Sequence, residues 1–275
     1  MIDKSEYIKN LTTFENFLDF AIDVSDKTAG IKVPWNLVRA NQLYTRLTVT
    51  SLSIIHLLPK NRLFPSKSEF WDFFSVASLA RNLIENYHMF YYVGVDKVSE
   101  EEMDFRLKLL TYHLNNEKYQ LYSDFKAGKE VLEEFEKNLP IAKESLKNHS
   151  FFKNIEKEKA KKILKGKEAM YLTSKEISER IQFDTDDFLP LYRLFSNHTH
   201  SSPLAYYTMS NDRGRGEENE AEVSYLSMTI DFCIKYLSAA IIDMTNLFPN
   251  SIDKLDITKL NVIKEKFNDY IEKEK

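Results

Sequence analysis

The scarcity of helix-breaking residues is the feature that most constrains the fold of this chain. Only six glycines and seven prolines interrupt 275 residues, and the apolar residues between them recur mostly at steps of three and four. This spacing places apolar side chains on one face of an α-helix, whereas a half-buried strand needs strict alternation. We therefore predict an all-α helical bundle. With 43% hydrophobic residues, the chain can bury a sizeable core as a single α-helical domain.

Glycine and proline predict where the first two helices end. We expect the first helix over about residues 4–25, ending near Gly30. The second should run from about Trp35 to Leu58, because Pro59 cannot continue a helix.

The third predicted helix, over residues 68–93, belongs at the centre of the bundle. It is apolar around nearly its whole circumference, and Gly94 follows it as a C-terminal cap. Four further helices complete the prediction: one that opens with the capping box Ser99 and Glu102 and runs to Gly128, one that starts at Thr185 or Asp186 and ends before Pro203, one over about 220–248 and one over about 256–273.

A lysine-rich stretch interrupts the bundle pattern. We assign the core to about 35–128 and 184–248, and expect residues 129–183 to form an excursion of smaller, more exposed helices. Between 142 and 168, nine lysines oppose four glutamates. Such a run is usually a solvated helix face, but beside a phosphate site it would attract a polyanion.

Charge and cysteine content limit the general class of protein. The net charge of −4 and the pI of about 5.9 give no overall attraction to nucleic acid or to an anionic membrane. The single cysteine, Cys233, lies in an apolar run and is expected to be a buried small hydrophobe. Since no signal peptide and no uncharged run of 18 residues is evident, we expect a cytoplasmic protein without a membrane partner.

One polar stretch stands out among bulky apolar residues. The segment "LYRLFSNHTHSSPLAYY" contains two of the six histidines of the chain. Residues seven apart return to nearly the same helix face, so Arg193 and His200 should share one stripe, with Ser196 or Asn197 between them. His198 should point elsewhere if the helix continues that far.

The same seven-residue spacing occurs twice more, between Arg81 and His88 and between Arg106 and His113. In the central helix, Glu85 lies on the same face as Arg81. An unpaired buried charge costs several kcal/mol, so Arg81 and Glu85 must have partners. They either form a structural ion pair, with His88 as a core histidine, or belong to a functional site.

Arg193 and His200 suit the chemistry of a phosphate. A guanidinium matches phosphate oxygens, and a histidine beside the negative end of a helix dipole is favoured in its protonated form. Together they could hold a scissile phosphate and move a proton to or from a ribose hydroxyl without a metal. The alternative is that they only tether the end of the helix to a neighbour.

These motifs resemble the HEPN superfamily (higher eukaryotes and prokaryotes nucleotide-binding). That family has an arginine, four to six residues, and then a histidine near the end of a helix, and Arg193 fits with either His198 or His200. The layout of "ARNLIENYHMFYY" followed by "YRLFSNHTHSS" is similar to bacterial helical proteins grouped near HEPN, which share an Arg-x-x-x-Glu and a Ser-x-x-x-His. The resemblance covers about residues 70–205.

The resemblance implies a metal-independent endoribonuclease that works at a homodimer interface, often in a toxin system or in antiviral phage defence. A polar residue commonly follows the arginine of that motif, but Leu194 follows Arg193 here, whereas Asn82 follows Arg81. Either stretch could thus be the working motif, and both could converge in one pocket. The implied roles are phosphate binding by Arg193 and Arg81, proton transfer by His200 or His198, and orientation by Ser196, Asn197 and Glu85, with His88 facing the same pocket.

Other enzyme classes fit the residues less well. Glu85 and His88 form the Glu-x-x-His of di-iron bundles, but no second copy occurs. A single-metal site of His198, His200 and Glu85 would need the helix to fray, and Ser196 lacks an evident acid for serine catalysis. We expect no cofactor and no metal.

The non-enzymatic alternative is an inactive helical bundle that binds a nucleotide, RNA or a protein partner through the same residues. In a toxin system, that partner would be a neutralising or regulatory protein.

Overall fold

The computed structural model describes residues 4–66, 69–183, 185–200, 202–207 and 214–273, without the side chains of 185–187, 252 and 273. Within these ranges the regular structure is helical, and the only β-type pairing is an isolated bridge between Trp71 and Gly216. The prediction of an all-α helical bundle is confirmed. The described α-helices are α1 Lys4–Thr28, α2 Trp35–Leu57, α3 Phe73–Phe90, α4 Glu100–Asp124, α5 Lys129–Lys147, α6 Lys157–Ile163, α7 Ser174–Ile181, α8 Thr185–Thr199, α9 Pro203–Tyr207, α10 Glu220–Leu247 and α11 Ile257–Lys273.

The chain divides into two compact units. Unit 1 comprises Met1–Val95 and Ile177–Lys275, and unit 2 comprises Asp96–Glu176. The second unit therefore starts about 30 residues before the lysine-rich excursion expected at 129–183. The difference arises because α4 packs against α5 and the 3₁₀ turn Ser150–Asn154.

The core of unit 1 is built around α3 and α10. In α10, residues on every side are buried, among them Leu226, Ile234 and Met244. This helix is long and apolar enough to cross a membrane, but 78% of its most apolar window is buried inside the protein. Packing in the core accounts for its composition. Cys233 is buried there, as predicted.

The sequence determines where the central helix α3 begins and how closely its C-terminal end packs. The predicted start at Ser68 lies outside the described residues, and α3 begins at Phe73, after the Asp72 side chain accepts a hydrogen bond from the Ser75 backbone N–H. At the other end α3 continues into a π-helical turn, Tyr91–Val95. A Cβ on Gly94 would lie 2.6 Å from the Cβ of Ala40. Gly94 is therefore needed for the close approach of α2, and the expectation that it caps the helix is wrong.

Unit 2 is organised by a buried arginine. Arg106 in α4 is 0% exposed, and its Nη2 lies 2.6 Å from Asp96 Oδ2 and 2.5 Å from Glu102 Oε1. His113, seven residues later, contacts the carbonyl oxygen of Gly166 through Nδ1 at 2.8 Å. The third arginine and histidine at seven-residue spacing thus have separate structural contacts within unit 2.

The lysine-rich segment lies in unit 2. Four of its nine lysines pair with nearby glutamates. Five are exposed and have no ion-pair partner among the described residues: Lys143, Lys153, Lys157, Lys165 and Lys167. Phe151 and Phe152 are partly buried against Phe105, so their rings contribute to the core of this unit.

Candidate functional site

The candidate site lies where α3 and α8 pack side by side in unit 1. Arg81 of α3 contacts His200, Glu85 contacts Tyr192, and His88 contacts Phe188. As the residue number rises along α3, it falls along α8, so the two helices are antiparallel. These contacts bring together the two motif stretches, one of the arrangements that the sequence left open.

Arg81 makes the central contacts. Its Nη1 lies 3.0 Å from His200 Nε2, and its Nε donates to Glu85 Oε1 at 3.1 Å. The guanidinium carbon also lies 5.2 Å from the centre of the Tyr192 ring. The Arg81 side chain is 20% exposed. It is therefore held on three sides and still open to a ligand from solvent.

Tyr192 completes the cluster and is not among the residues predicted from the sequence. Its hydroxyl donates to Glu85 Oε1 at 2.9 Å. Burial and then the hydrogen bond to Glu85 raise the pKa of Tyr192, so the phenol remains a donor at neutral pH. Burial acts to lower the pKa of Arg81, but Tyr192 and Glu85 raise it by more. Tyr192 precedes Ser196 by four residues and His200 by eight, and this helical spacing is the signal that could have found it.

The contact between Arg81 and His200 restricts the state of the imidazole. A guanidinium has only N–H donors, so a hydrogen bond requires His200 Nε2 to present its lone pair. Such a hydrogen bond is possible only for the tautomer whose proton is on Nδ1. An entering anion that takes over the Arg81 donor would release Nε2 as a base. The pair can therefore bind an anion and accept a proton at adjoining points.

Arg193 lies on the exposed side of α8. Seven residues separate it from His200, which is about 10 Å along the helix axis. No residue in the described ranges forms an ion pair with its side chain. Its side chain is exposed, and the seven-residue spacing predicts that it shares a helix face with His200.

Ser196 and Asn197 stabilise the end of α8. Ser196 Oγ donates to the Tyr192 carbonyl at 2.7 Å, and Asn197 Nδ2 donates to the Arg193 carbonyl at 2.9 Å. Asn197 Oδ1 also accepts from Ser202 Oγ at 2.7 Å. The expectation that Ser196 and Asn197 orient the arginine and histidine side chains is therefore replaced by a role at the helix terminus.

His88 does not belong to this cluster. It is 1% exposed and packs against the rings of Phe188 and Tyr236, with Nε2 3.4 Å from Ser178 Oγ. Burial lowers its pKa to about 3, so it is neutral at physiological pH. The expectation that His88 shares the pocket is wrong, because Phe188 covers the face of α3 at this level.

His198 is also a core residue. It is buried between the rings of Phe73 and Phe74, at 4.7 and 4.8 Å, and its Nδ1 lies 2.8 Å from the Leu194 carbonyl. It points away from His200, as its position in the helix predicted. Of the two candidate histidines in this stretch, only His200 is placed to meet a ligand.

The two metal-site alternatives do not match this geometry. Glu85 faces Arg81 and Tyr192, whereas His88 and His198 point into the core. In the part of the chain that the structure describes, no three histidine, cysteine, aspartate or glutamate side chains are grouped closely enough to hold a metal ion.

A match to a protein-family profile assigns the chain to a family more firmly than its short motifs do. The profile described as "Family of unknown function (DUF5677)" matches residues 38–217, about two thirds of the sequence. The chain belongs to the DUF5677 family. No curated protein and no solved structure matches it.

The DUF5677 match covers the whole candidate site. Arg81, Glu85, Tyr192, Arg193 and His200 all fall within residues 38–217, whereas α10 and α11 lie beyond it. The family description names no activity. The resemblance to HEPN proteins therefore stays an expectation from the motifs.

Proposed function

We propose that this DUF5677 protein is a metal-independent endoribonuclease of the HEPN type, in which Arg81 and His200 act together on a phosphodiester. The contact of 3.0 Å between Arg81 Nη1 and His200 Nε2 carries the proposal. It joins a permanent cation and a titratable base, from two separate helices, at one exposed point. The working pair in this proposal is Arg81 with His200.

In the proposed reaction, the ribose 2′-oxygen attacks the adjoining phosphorus. The P–O2′ bond forms, the P–O5′ bond breaks, and the products are a 2′,3′-cyclic phosphate and a 5′-hydroxyl. His200 Nε2 accepts the proton of the 2′-hydroxyl, and the Arg81 guanidinium stabilises the negative charge that develops on the non-bridging oxygens.

The leaving 5′-oxygen also needs a proton. In the described cluster the one exposed histidine, His200, takes up the first proton and the Tyr192 hydroxyl is engaged by Glu85, so we assign the second proton to water or to His200 of a second copy of the chain. A homodimer that brings two such sites together would supply both proton transfers. This is the physical reason for proposing a homodimer.

The remaining members of the cluster have supporting roles in this proposal. Glu85 and Tyr192 hold the Arg81 guanidinium in one orientation, which reduces the cost of ordering it when substrate binds. Arg193 binds a neighbouring phosphate of the strand. RNA is the proposed partner, and a cytoplasmic location, a toxin or antiviral defence context and a neutralising protein follow only from the resemblance.

One observation favours the inactive alternative. Glu85 already neutralises Arg81 through the pair at 3.1 Å, so the cluster gains net positive charge only from Arg193 or from protonation of His200. A bundle that binds a nucleotide, RNA or protein partner without cleaving it would keep the same contacts.

RNA cleavage with EDTA present separates the two proposals. Wild-type protein is incubated with a mixed pool of single-stranded RNA and compared with Arg81→Ala and His200→Ala. Loss of the base should slow cleavage by about 10² to 10⁴-fold, and loss of the arginine by about 10² to 10³-fold. Products ending in a 2′,3′-cyclic phosphate are expected.

Two control variants match these substitutions. Arg39 is half-buried and stacks on Trp35 at 4.6 Å, much as Arg81 stacks on Tyr192. His56 is exposed, like His200, and its ring lies 4.7 Å from the Phe64 ring at a steep angle. Arg39→Ala and His56→Ala should cleave at the wild-type rate. Binding of RNA by the wild type without cleavage would instead favour the inactive module.

A further inference from the structure

Two exposed tyrosines follow the candidate site in the chain. Tyr206 and Tyr207 of α9 are 53% and 78% exposed, and their rings stack at 4.9 Å with an angle of 30°. One face of the Tyr207 ring lies towards Tyr206, and most of the remainder is in contact with solvent. Paired, exposed aromatic rings of this kind are a feature of interaction sites.

The structure holds α9 at the end of α8. The Ser202 backbone N–H donates to the Asn197 carbonyl at 3.1 Å, and the Ser202 and Asn197 side chains are also hydrogen-bonded. Ala205 is buried and anchors the short helix against the protein. The tyrosine pair is thus attached to the same helix end that presents His200.

Chain length limits the distance between the two features. Six residues separate His200 from Tyr206, which is at most about 20 Å of extended chain. The helical turn of α9 and the attachment of Ser202 to Asn197 shorten this span. A single strand of a few nucleotides can therefore reach from Arg81 to the tyrosine stack.

We infer that Tyr206 and Tyr207 form a stacking platform for an unpaired base of a single-stranded nucleic acid whose phosphate lies at Arg81 and His200. The charges of Arg81 and Arg193 complement the phosphates of such a strand, and the aromatic faces complement its bases. The inference rests on the proposed function for the position of the phosphate. It adds that the substrate is single-stranded, because a base within a duplex cannot stack on a side chain without being extruded.

Binding measurements test the platform independently of cleavage. The probe is a fluorescent 2′-O-methyl oligoadenylate of eight residues, which lacks the attacking hydroxyl and is not consumed. An abasic oligonucleotide of equal length is the comparison, since it retains the phosphates but has no bases. Wild-type protein should bind the base-bearing strand about tenfold more tightly than the abasic one.

The variants assign this difference to the tyrosines. Tyr206→Ala and Tyr207→Ala should weaken binding of the base-bearing strand about tenfold and leave binding of the abasic strand unchanged. Tyr207→Phe should behave as wild type, because the ring remains. Phe125 of unit 2 is 77% exposed, and Phe125→Ala is the matched control with no expected effect. Arg81→Ala should weaken binding of both strands equally.

Three results would overturn the platform. The first is equal binding of both strands by the wild-type protein, and the second is binding of neither strand. The third is a preference for the base-bearing strand that persists in the tyrosine variants. A dimer that becomes monomeric in Tyr207→Ala without loss of that preference would show that the stack is an interface between copies. If the protein binds the base-bearing strand preferentially but does not cleave RNA, the stacking platform stands and the proposed nuclease activity is wrong. If it cleaves RNA but shows no preference for the base-bearing strand, the nuclease activity stands and the stacking platform is wrong.

Discussion

Replacing Arg106 by methionine should destabilise unit 2 selectively. The side chain is 0% exposed and neutralises two carboxylates, Asp96 at 2.6 Å and Glu102 at 2.5 Å. Methionine fills much of the same volume but leaves both acids without this cation. Removal of one partner from a buried ion pair costs about 3–5 kcal/mol, because the remaining charge has lost its compensation.

This cost is large compared with the stability of a small unit. Domains are stable by about 5–15 kcal/mol in total, so Arg106→Met should raise the population of the open form of unit 2 by about two to four orders of magnitude. Hydrogen exchange followed by peptide mass spectrometry measures this as a loss of protection over residues 96–176. The two tryptophans, Trp35 and Trp71, lie in unit 1, so tryptophan fluorescence in urea reports the other unit. Its unfolding transition should change little.

An exposed ion pair on the same helix provides the control. Lys108 pairs with Asp104 at 2.6 Å, but both side chains are about half exposed, and such pairs contribute at most about 1 kcal/mol. Lys108→Met should leave the protection of unit 2 nearly unchanged. Adding Glu102→Gln to Arg106→Met should restore part of the loss. Equal protection in Arg106→Met and Lys108→Met would refute this reasoning.

Two further predictions concern titratable groups in α10. Burial raises the pKa of Asp243 from 3.8 to about 7, although the hydrogen bond from Tyr87 acts in the opposite direction. The folded chain thus keeps this proton up to about pH 7 while the unfolded chain loses it near pH 4, so Asp243 lowers stability as the pH rises through this window. Asp243→Asn should reduce the fall in melting temperature between pH 4 and pH 7.5, and an unchanged pH profile would contradict this assignment. Burial also raises the pKa of the Cys233 thiol, so this thiol should react with a disulfide reagent only after urea unfolds the protein, and rapid reaction of the native protein would show that the site opens.

The helices could be predicted closely because their signals are local. Gly30 adopts a φ of +75°, which favours glycine, just after α1 ends at Thr28. The Ser99 side chain accepts from the Glu102 backbone N–H at 3.1 Å, as its capping box predicted. α8 spans Thr185–Thr199, within the bounds expected from Thr185 and Pro203. The division into two units was not predicted, because it depends on how α4 packs rather than on composition.

Helical spacing predicted which residues share a face but not how deeply each is buried. Arg81 and His88 lie on the same side of α3, yet Arg81 is partly exposed and His88 is in the core. The antiparallel α8 places His200 beside Arg81 and Phe188 beside His88. How deeply each side chain is buried depends on which residue of the neighbouring helix packs against it. The spacing of residues within one helix carries no information about that neighbour. For the same reason the hydroxyl of Tyr192, which contacts Glu85, was not anticipated.

A double-mutant cycle of RNA cleavage tests most directly whether Arg81 and His200 form one site. Single-turnover rates are measured with EDTA present for the wild type, Arg81→Ala, His200→Ala and the double variant. If the two side chains act on one phosphate, the double variant should be about as slow as the slower single variant, because removal of either disables the pair. Losses that multiply in the double variant, or single variants that cleave at the wild-type rate, would contradict the joint site.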